Sequence, residues 1–345
     1  MTPPKARLRI TSDLDLVALV PYVLRYHPQE SMVALVVDDD RLTVTTRSDL
    51  PPTAEECAGP DYRRAVRTVI AQIAEDASMA LLVGYGPADR VEPATALYTD
   101  ALTAAGLLVG RALRVNDGRF YCLKAGCTQC PAEGTPYDPA ASPLPAAATY
   151  QGMVALPDRD AVANLVAPVT GPARARMTVA SQAAQDRLTA LLPSLAPGQT
   201  APLIMPAAVL TAGYAAVDAA LQAAADGRTL SDDDAAWLIK VLTIMRIRDH
   251  AWAACDGSPT QRELWADLTR RAEPHLTAAP ASLLALTAYL GGDGPLARVA
   301  LDCALRADPS YRMARLLTST LDAAVPPDVL RQINAAAHQS QRNEP

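Results

Sequence analysis

The chain has 345 residues, a formal net charge of −6, half its residues apolar and only 4% aromatic. That length suits two domains with separate cores, and that charge excludes a protein that grips nucleic acid or an anionic membrane over its whole surface. The opening Met1-Thr-Pro-Pro-Lys5 has no apolar segment, so no secretory leader is expected. The six cysteines, at 57, 122, 127, 130, 255 and 303, are not spaced like a secreted disulfide scaffold, so reduced thiols and a cytoplasmic location are expected.

In chain order, Arg7–Ile10 reads as a first strand, and Ser12 or Asp13 caps a helix carrying Leu14, Leu16, Val17, Leu19 and Val20. Pro21 is expected to kink or restart that helix, and His27-Pro28 to end it, because the residue before proline is pushed out of the α region. Ser31–Val37 is an apolar run of strand length. Arg41–Arg47 is its alternating β-branched partner, joined to it by an aspartate turn. A helix capped by Asp61 follows, with Tyr62, Val66, Val69, Ile70 and Ile73 on one face and Arg63, Arg64 and Arg67 solvated.

Met79–Val83 reads as a buried strand broken by Gly84-Tyr-Gly-Pro87, and a helix through Leu97 and Leu102 ends at Gly106. Leu107–Val115 and Arg119–Leu123 form a hairpin around Asn116-Asp117-Gly118, since Asp-Gly is a strong short hairpin signal. Helical crossovers favour parallel pairing of the strands ending at 47, 83 and 115, with the two hairpins adding antiparallel neighbours. The expected fold is therefore an α/β domain over 1–130, a mixed sheet with helices packed on it. Residues 131–157, rich in proline and small side chains, read as a connector.

An all-α domain is expected over 158–340, with helices near 158–166, 171–192, 205–226 and 231–255 and another opening at Ser258-Pro259. Ser231 caps the fourth of these, and three aspartates complement its positive end. The most apolar stretch, about 206–225, is Ala-rich and contains Asp218, so it reads as a buried helix rather than a membrane span. Within 281–323, the order Tyr289, Gly292-Asp293, Ala297, Ala304 and Pro309 resembles one tetratricopeptide unit. A single unit does not establish a solenoid; a repeat-like helix pair built into a compact bundle fits as well.

Several of these segments together resemble an uncharacterised actinobacterial family, domain of unknown function family 4192. They are the run Asp15-Leu-Val-Ala-Leu-Val-Pro-Tyr-Val-Leu-Arg-Tyr-His-Pro-Gln-Glu-Ser-Met-Val33, the Arg47-Ser-Asp-Leu-Pro51 segment, the stretch ending Cys130-Pro-Ala-Glu-Gly-Thr-Pro136, Arg248-Asp249, and the late Gly-Asp-Gly and Ala-Asp-Pro-Ser-Tyr segments. The resemblance spans nearly the whole chain. Tyr26 stands where phenylalanine is more usual, and Cys127 and Cys130 are two residues apart where adjacent cysteines are common. The resemblance supports the fold and implies no activity or cofactor.

Three places carry groups suited to chemistry. Cys122, Cys127 and Cys130 include a Cys-x2-Cys half-site, but the next ten residues supply no further His or Cys. Only His27 or Glu133 is left to complete a set through the fold. The spacing therefore assigns no metal and leaves packed thiols, a zinc site and a redox pair as readings. Arg47 and Asp49 after one strand, and Gly84, Gly86 and Asp89 after another, fit a pocket for a small anionic ligand beyond the carboxyl ends of parallel strands. An Arg–Asp pair pinning a loop is the plainer reading. Asp249 shares a helical rhythm with Leu238, Leu242, Met245 and Trp252, which predicts a carboxylate buried on the apolar face and paired with Arg246 or a distant arginine.

No nucleophile elbow, zinc-protease motif or kinase signature occurs, so no catalytic residue is assigned. The expected function is a regulatory or adaptor protein, with a ligand-sensing α/β domain and a helical domain that engages a protein partner. An enzyme acting on an anionic or phosphate-bearing small molecule is the alternative.

Overall fold

A computed structural model describes residues 8–39, 41–74, 77–124, 126–193 and 205–333. The chain divides into two compact units, Met1–Ala161 and Val162–Pro345.

The first unit opens with α1 (Asp13–Leu24), whose N-cap Ser12 accepts a hydrogen bond from the Asp15 N–H. Pro21 lies inside α1, which runs on to Leu24 without the expected restart. Residues 8–10 have no regular structure, and Arg7 lies outside the described residues. Then come β1 (Ser31–Asp38), β2 (Arg41–Asp49), a short α2 (Ala54–Ala58) that the periodicity did not reveal, and α3 (Pro60–Ile73). Asp61 sits in the first turn of α3, and Gly59 is its N-cap. They are followed by β3 (Met79–Tyr85), α4 (Ala88–Ala104), β4 (Leu108–Asn116), β5 (Arg119–Cys122) and β6 (Thr135–Pro136).

The six strands form one mixed sheet in the order β2-β1-β3-β4-β5-β6. Only β3 and β4 pair in parallel; β1 is antiparallel to both β2 and β3. Strands β2, β3 and β4 thus share a direction, as their helical crossovers require, but β2 and β3 are not neighbours. The register aligns Asp49, Ser31, Tyr85 and Val115 along one edge. Because β1 is central, Ser31–Val36 are buried on both faces, which explains their unbroken apolar run.

The expected connector 131–157 is instead folded onto this unit, whose boundary falls after Ala161. It carries β6, a 3₁₀ turn (Pro139–Ala141) and α5 (Leu144–Tyr150), and Leu156 bridges to Tyr26. Three of its six prolines, Pro139, Pro143 and Pro145, stand at helix starts, where they are tolerated, while Leu144 and Ala148 pack with Leu19 of α1. One carboxylate ties this segment to the start of α1. Buried Asp15 accepts from the Thr11 N–H (3.0 Å), the Thr11 hydroxyl (2.7 Å) and the Ser142 hydroxyl (2.8 Å).

The second unit is helical: α6 (Arg159–Asn164, entered from the first unit), α7 (Gly171–Leu191), α8 (Ala207–Ala225), α9 (Asp232–Val241), α10 (Met245–Ala253), α11 (Pro259–Arg271), α12 (Ala278–Leu290), α13 (Gly294–Ala307) and α14 (Arg312–Asp322). Residues 334–340 of the expected helical domain lie outside the described residues. Ser231 and Ser258 cap α9 and α11 as their sequence contexts suggest. In α12 every residue except Tyr289 is buried, so it is the central helix of the unit. Where the chain passes close to it, Gly257 and Gly291 touch backbone to backbone; a Cβ on either would lie 2.8 Å from a main-chain atom of the other. Helix α8 is long and apolar enough to cross a membrane by length and composition. Its buried residues Val209, Gly213, Val217, Ala220 and Ala224 form one stripe, and its Asp218 pairs with His250 at 2.8 Å.

The expected helix over 231–255 is two helices, broken at Leu242–Ile244. The break rotates the second half out of register, so Met245 is 64% exposed and Asp249 is not buried. Asp249 pairs with its neighbour Arg248 at 2.6 Å, not with Arg246, and Arg248 also reaches the Tyr311 ring.

Asp15 gives a direct test of the α1 staple. Hydrogen bonding from Thr11 is the largest influence on its carboxyl, and despite the opposing effect of burial its pKa falls from 3.8 to about 2. A carboxyl depressed on folding stabilises fully above its unfolded pKa and loses that contribution as pH falls through the folded one. Asp15→Asn is expected to cost about 2 kcal/mol at pH 7 and to flatten the pH dependence of urea midpoints between about 4 and 2.

Candidate functional site

The two halves of the sequence-derived ligand site leave the same edge of the sheet, but β1 lies between them. Arg47 pairs with Val33, and Val33 with Val83, so the halves stand two strand spacings apart, roughly 10 Å. They also face opposite ways. Ser48 bonds to Tyr62 and Tyr98 of α3 and α4 (3.3 and 2.8 Å), so its neighbours Arg47 and Asp49 point to the other side of the sheet. Gly84 lies on the α4 side, where an added Cβ would sit 2.2 Å from Val91 Cγ1 and 2.9 Å from Met32 Sδ. It is a packing glycine inside β3, which continues to Tyr85 instead of breaking at Gly84.

Gly86 has φ +141, open only to glycine at low cost, and its N–H bonds to the Val115 carbonyl at 3.0 Å. Asp89 is exposed in the first turn of α4, where it complements the positive helix end. Arg47 meets Asp49 at 2.5 Å and the Gln29 carbonyl at 3.3 Å, the pairing expected of a loop pin.

Arg90, which no sequence signal singled out, spans this edge. Its guanidinium pairs with Glu30 and donates to the carbonyls of Pro51 (2.9 Å) and Leu50 (3.3 Å), joining the start of β1, the end of β2 and α4. On the opposite face, Ser31 Oγ, Arg47 Nε and Tyr85 Oη are buried with no hydrogen-bond partner among the described residues. Buried polar atoms of this kind normally have a partner, so this face offers contacts to a polar ligand; on the Gly84 side Thr46 Oγ1 is likewise buried without a partner among the described residues.

The thiols behave differently from one another. Cys57 and Cys255 are buried, and burial pushes the Cys255 thiol up to about 12, marking it as a packed, unreactive group. Cys122, Cys127 and Cys130 are half-buried, and their sulfur atoms all lie within 4.8 Å of one another. Among the described residues no His, Asp or Glu joins that cluster, so neither His27 nor Glu133 does.

Cys122 ends β5 opposite Leu113, and the next residue returns to the sheet through the Leu123 N–H to the Ala112 carbonyl at 2.9 Å. Hydrogen bonding from the Gln129 backbone is the largest influence drawing the Cys127 thiol down to about 7, while the neighbouring thiols, Cys127 first and then Cys122, push Cys130 up to about 11. The Cys122-x4-Cys127-x2-Cys130 spacing is visible in the sequence; the convergence of the three sulfurs is not.

A family model described as Domain of unknown function (DUF4192) matches residues 14–328. No curated protein and no solved structure matches the chain significantly.

Replacing Gly84 with Ala tests the reading of that glycine as packing. Gly84→Ala is expected to lower stability by about 1–3 kcal/mol through the clash with Val91, measured by urea denaturation. An unchanged midpoint would return Gly84 to the list of ligand-facing positions.

Proposed function

Because the chain belongs to the family described as Domain of unknown function (DUF4192), which assigns no activity, we propose a function from the chain's own geometry: a non-enzymatic regulatory or adaptor protein. Its helical unit engages a protein partner, and its α/β unit senses a small anionic ligand.

The observation that carries this reading is a groove of about 710 Å³ on the helical unit, lined by α7, α9 and the turn Pro274–Leu276. Its wall combines apolar surface, including Val179 at 73% exposure, with Asp186, Lys240 and Glu273. That mixture suits a protein segment with apolar anchors and a polar margin better than a compact metabolite. We read α12 and α13 as the tetratricopeptide-like pair. Burial of α12 leaves that pair no concave face, so the partner surface falls to α7 and α9. On this reading the protein is cytoplasmic, α8 is a core helix, and nucleic acid and membrane are not its targets.

The enzyme reading keeps one observation in its favour, the buried and unpaired Ser31, Arg47 and Tyr85 atoms on one face of the sheet. An anionic substrate seated there would meet the Arg47 guanidinium, with Asp49 already holding its other end.

Quantitative affinity capture with full-length protein separates the two. Val179→Asp is expected to fold normally, because the site is exposed, and to weaken partner capture at least tenfold, whereas Arg47→Ala leaves capture unchanged. Identical partners for Val179→Asp and wild type would contradict the groove assignment. Turnover of an anionic metabolite that Arg47→Ala abolishes would favour the enzyme.

A further inference from the structure

The loop between β5 and β6 is short, closed and held at both ends. Arg119 in β5 donates to the carbonyls of Glu133 and Gly134, both at 2.8 Å. Gly134, with φ +76, lies flat against the Tyr121 ring, where a Cβ would come within 2.6 Å of a ring carbon. The Arg114 guanidinium covers the same ring at 3.8 Å. At the far end, the Cys127 N–H closes a turn on the Lys124 carbonyl at 3.2 Å.

Inside this frame the loop has almost no apolar material to bury; from 124 to 133 no described residue is buried. Its order therefore does not come from a core of its own. What converges there is sulfur. Three sulfurs bound to one tetrahedral zinc stand about 3.8 Å apart, given Zn–S distances of about 2.3 Å, and these three already lie within 4.8 Å of one another. A disulfide would use two of them and leave the third without a role.

The surroundings suit a metal. Three thiolates and one Zn²⁺ sum to −1, and Arg111 stands two residues before Leu113, the partner of Cys122, on the same face of the sheet. Arg111 is held in place by Asp13 of α1 at 2.7 Å, which also offsets part of its charge.

We infer that Cys122, Cys127 and Cys130 hold one Zn²⁺ as three thiolates, with the fourth tetrahedral position open to a solvent molecule. On binding, the ion displaces whatever protons the three thiols carry, and these pass to solvent. Soft thiolate donors select zinc over calcium, magnesium or manganese. The ion ties the end of β5 to the loop that leads to β6, which apolar packing does not hold. This assignment is independent of the adaptor reading and of the groove on α7 and α9.

The test uses the full-length chain, purified and kept reduced, then equilibrated with Zn²⁺ and freed of excess by gel filtration. Elemental analysis is expected to give about one zinc per chain. Cys127→Ser and Cys130→Ser, both in the loop, should each bring this well below half while circular dichroism shows the fold retained. Cys303→Ser, outside the cluster, should keep one zinc. Wild type that stays far below one zinc, a Cys127→Ser variant that keeps it, or copper or iron in its place would overturn the assignment. Cobalt substitution reads the fourth position: added imidazole should shift the d–d bands while the thiolate-to-cobalt charge-transfer bands persist. Bands indifferent to imidazole would overturn the open position.

Discussion

Strand β1 runs opposite to both of its neighbours, and the first unit is arranged around that constraint. A strand in this place is buried on both faces, which is why Ser31–Val36 carries no exposed side chain. Its N-terminus lies level with the C-termini of β2 and β3, so Glu30, Asp49 and Tyr85 arrive at one edge. Arg90 can then reach Glu30, Leu50 and Pro51 together, and these bonds close the crevice that a parallel β2–β3 pair would have left open. The same strand parts Arg47 from Gly84 and puts them on opposite faces of the sheet.

What could be read in the sequence was what short-range chemistry decides. The apolar run of β1, the Asp-Gly turn between β4 and β5, and the serine caps at 231 and 258 are each specified within a few residues, and each stands where its local signal put it. Strand order was not legible, because nothing local to β2 says that β1 will lie between it and β3. The segment 131–157 misled for a different reason. Half of its prolines stand at the starts of short helices, and its buried contacts, Asp15 to Ser142 and Leu19 to Leu144 and Ala148, depend on residues over a hundred positions away. Asp249 was misplaced because apolar periodicity continued through the break at Leu242–Ile244, where the backbone did not.

The thiols show the same division between local and distant information. The Cys122-x4-Cys127-x2-Cys130 spacing was visible in the sequence, but the convergence of its three sulfurs shows only in the folded loop that the pairing of β5 with β6 closes. Once that pairing is made, the sheet edge and the loop exchange importance. The edge is largely satisfied by the chain's own arginines, apart from the buried polar atoms on the Arg47 face. The loop, by contrast, gathers three ligands around a point with no packing of its own.

On this account the chain's strongest chemical centre is the β5–β6 loop, and the helical unit contributes a surface rather than a reaction. X-ray absorption at the zinc edge, on reduced full-length protein carrying its metal, tests that most directly. The account predicts a first shell of three sulfurs at about 2.3 Å and one lighter oxygen or nitrogen atom. A shell without sulfur, a shell of four sulfurs, or no bound zinc would contradict it.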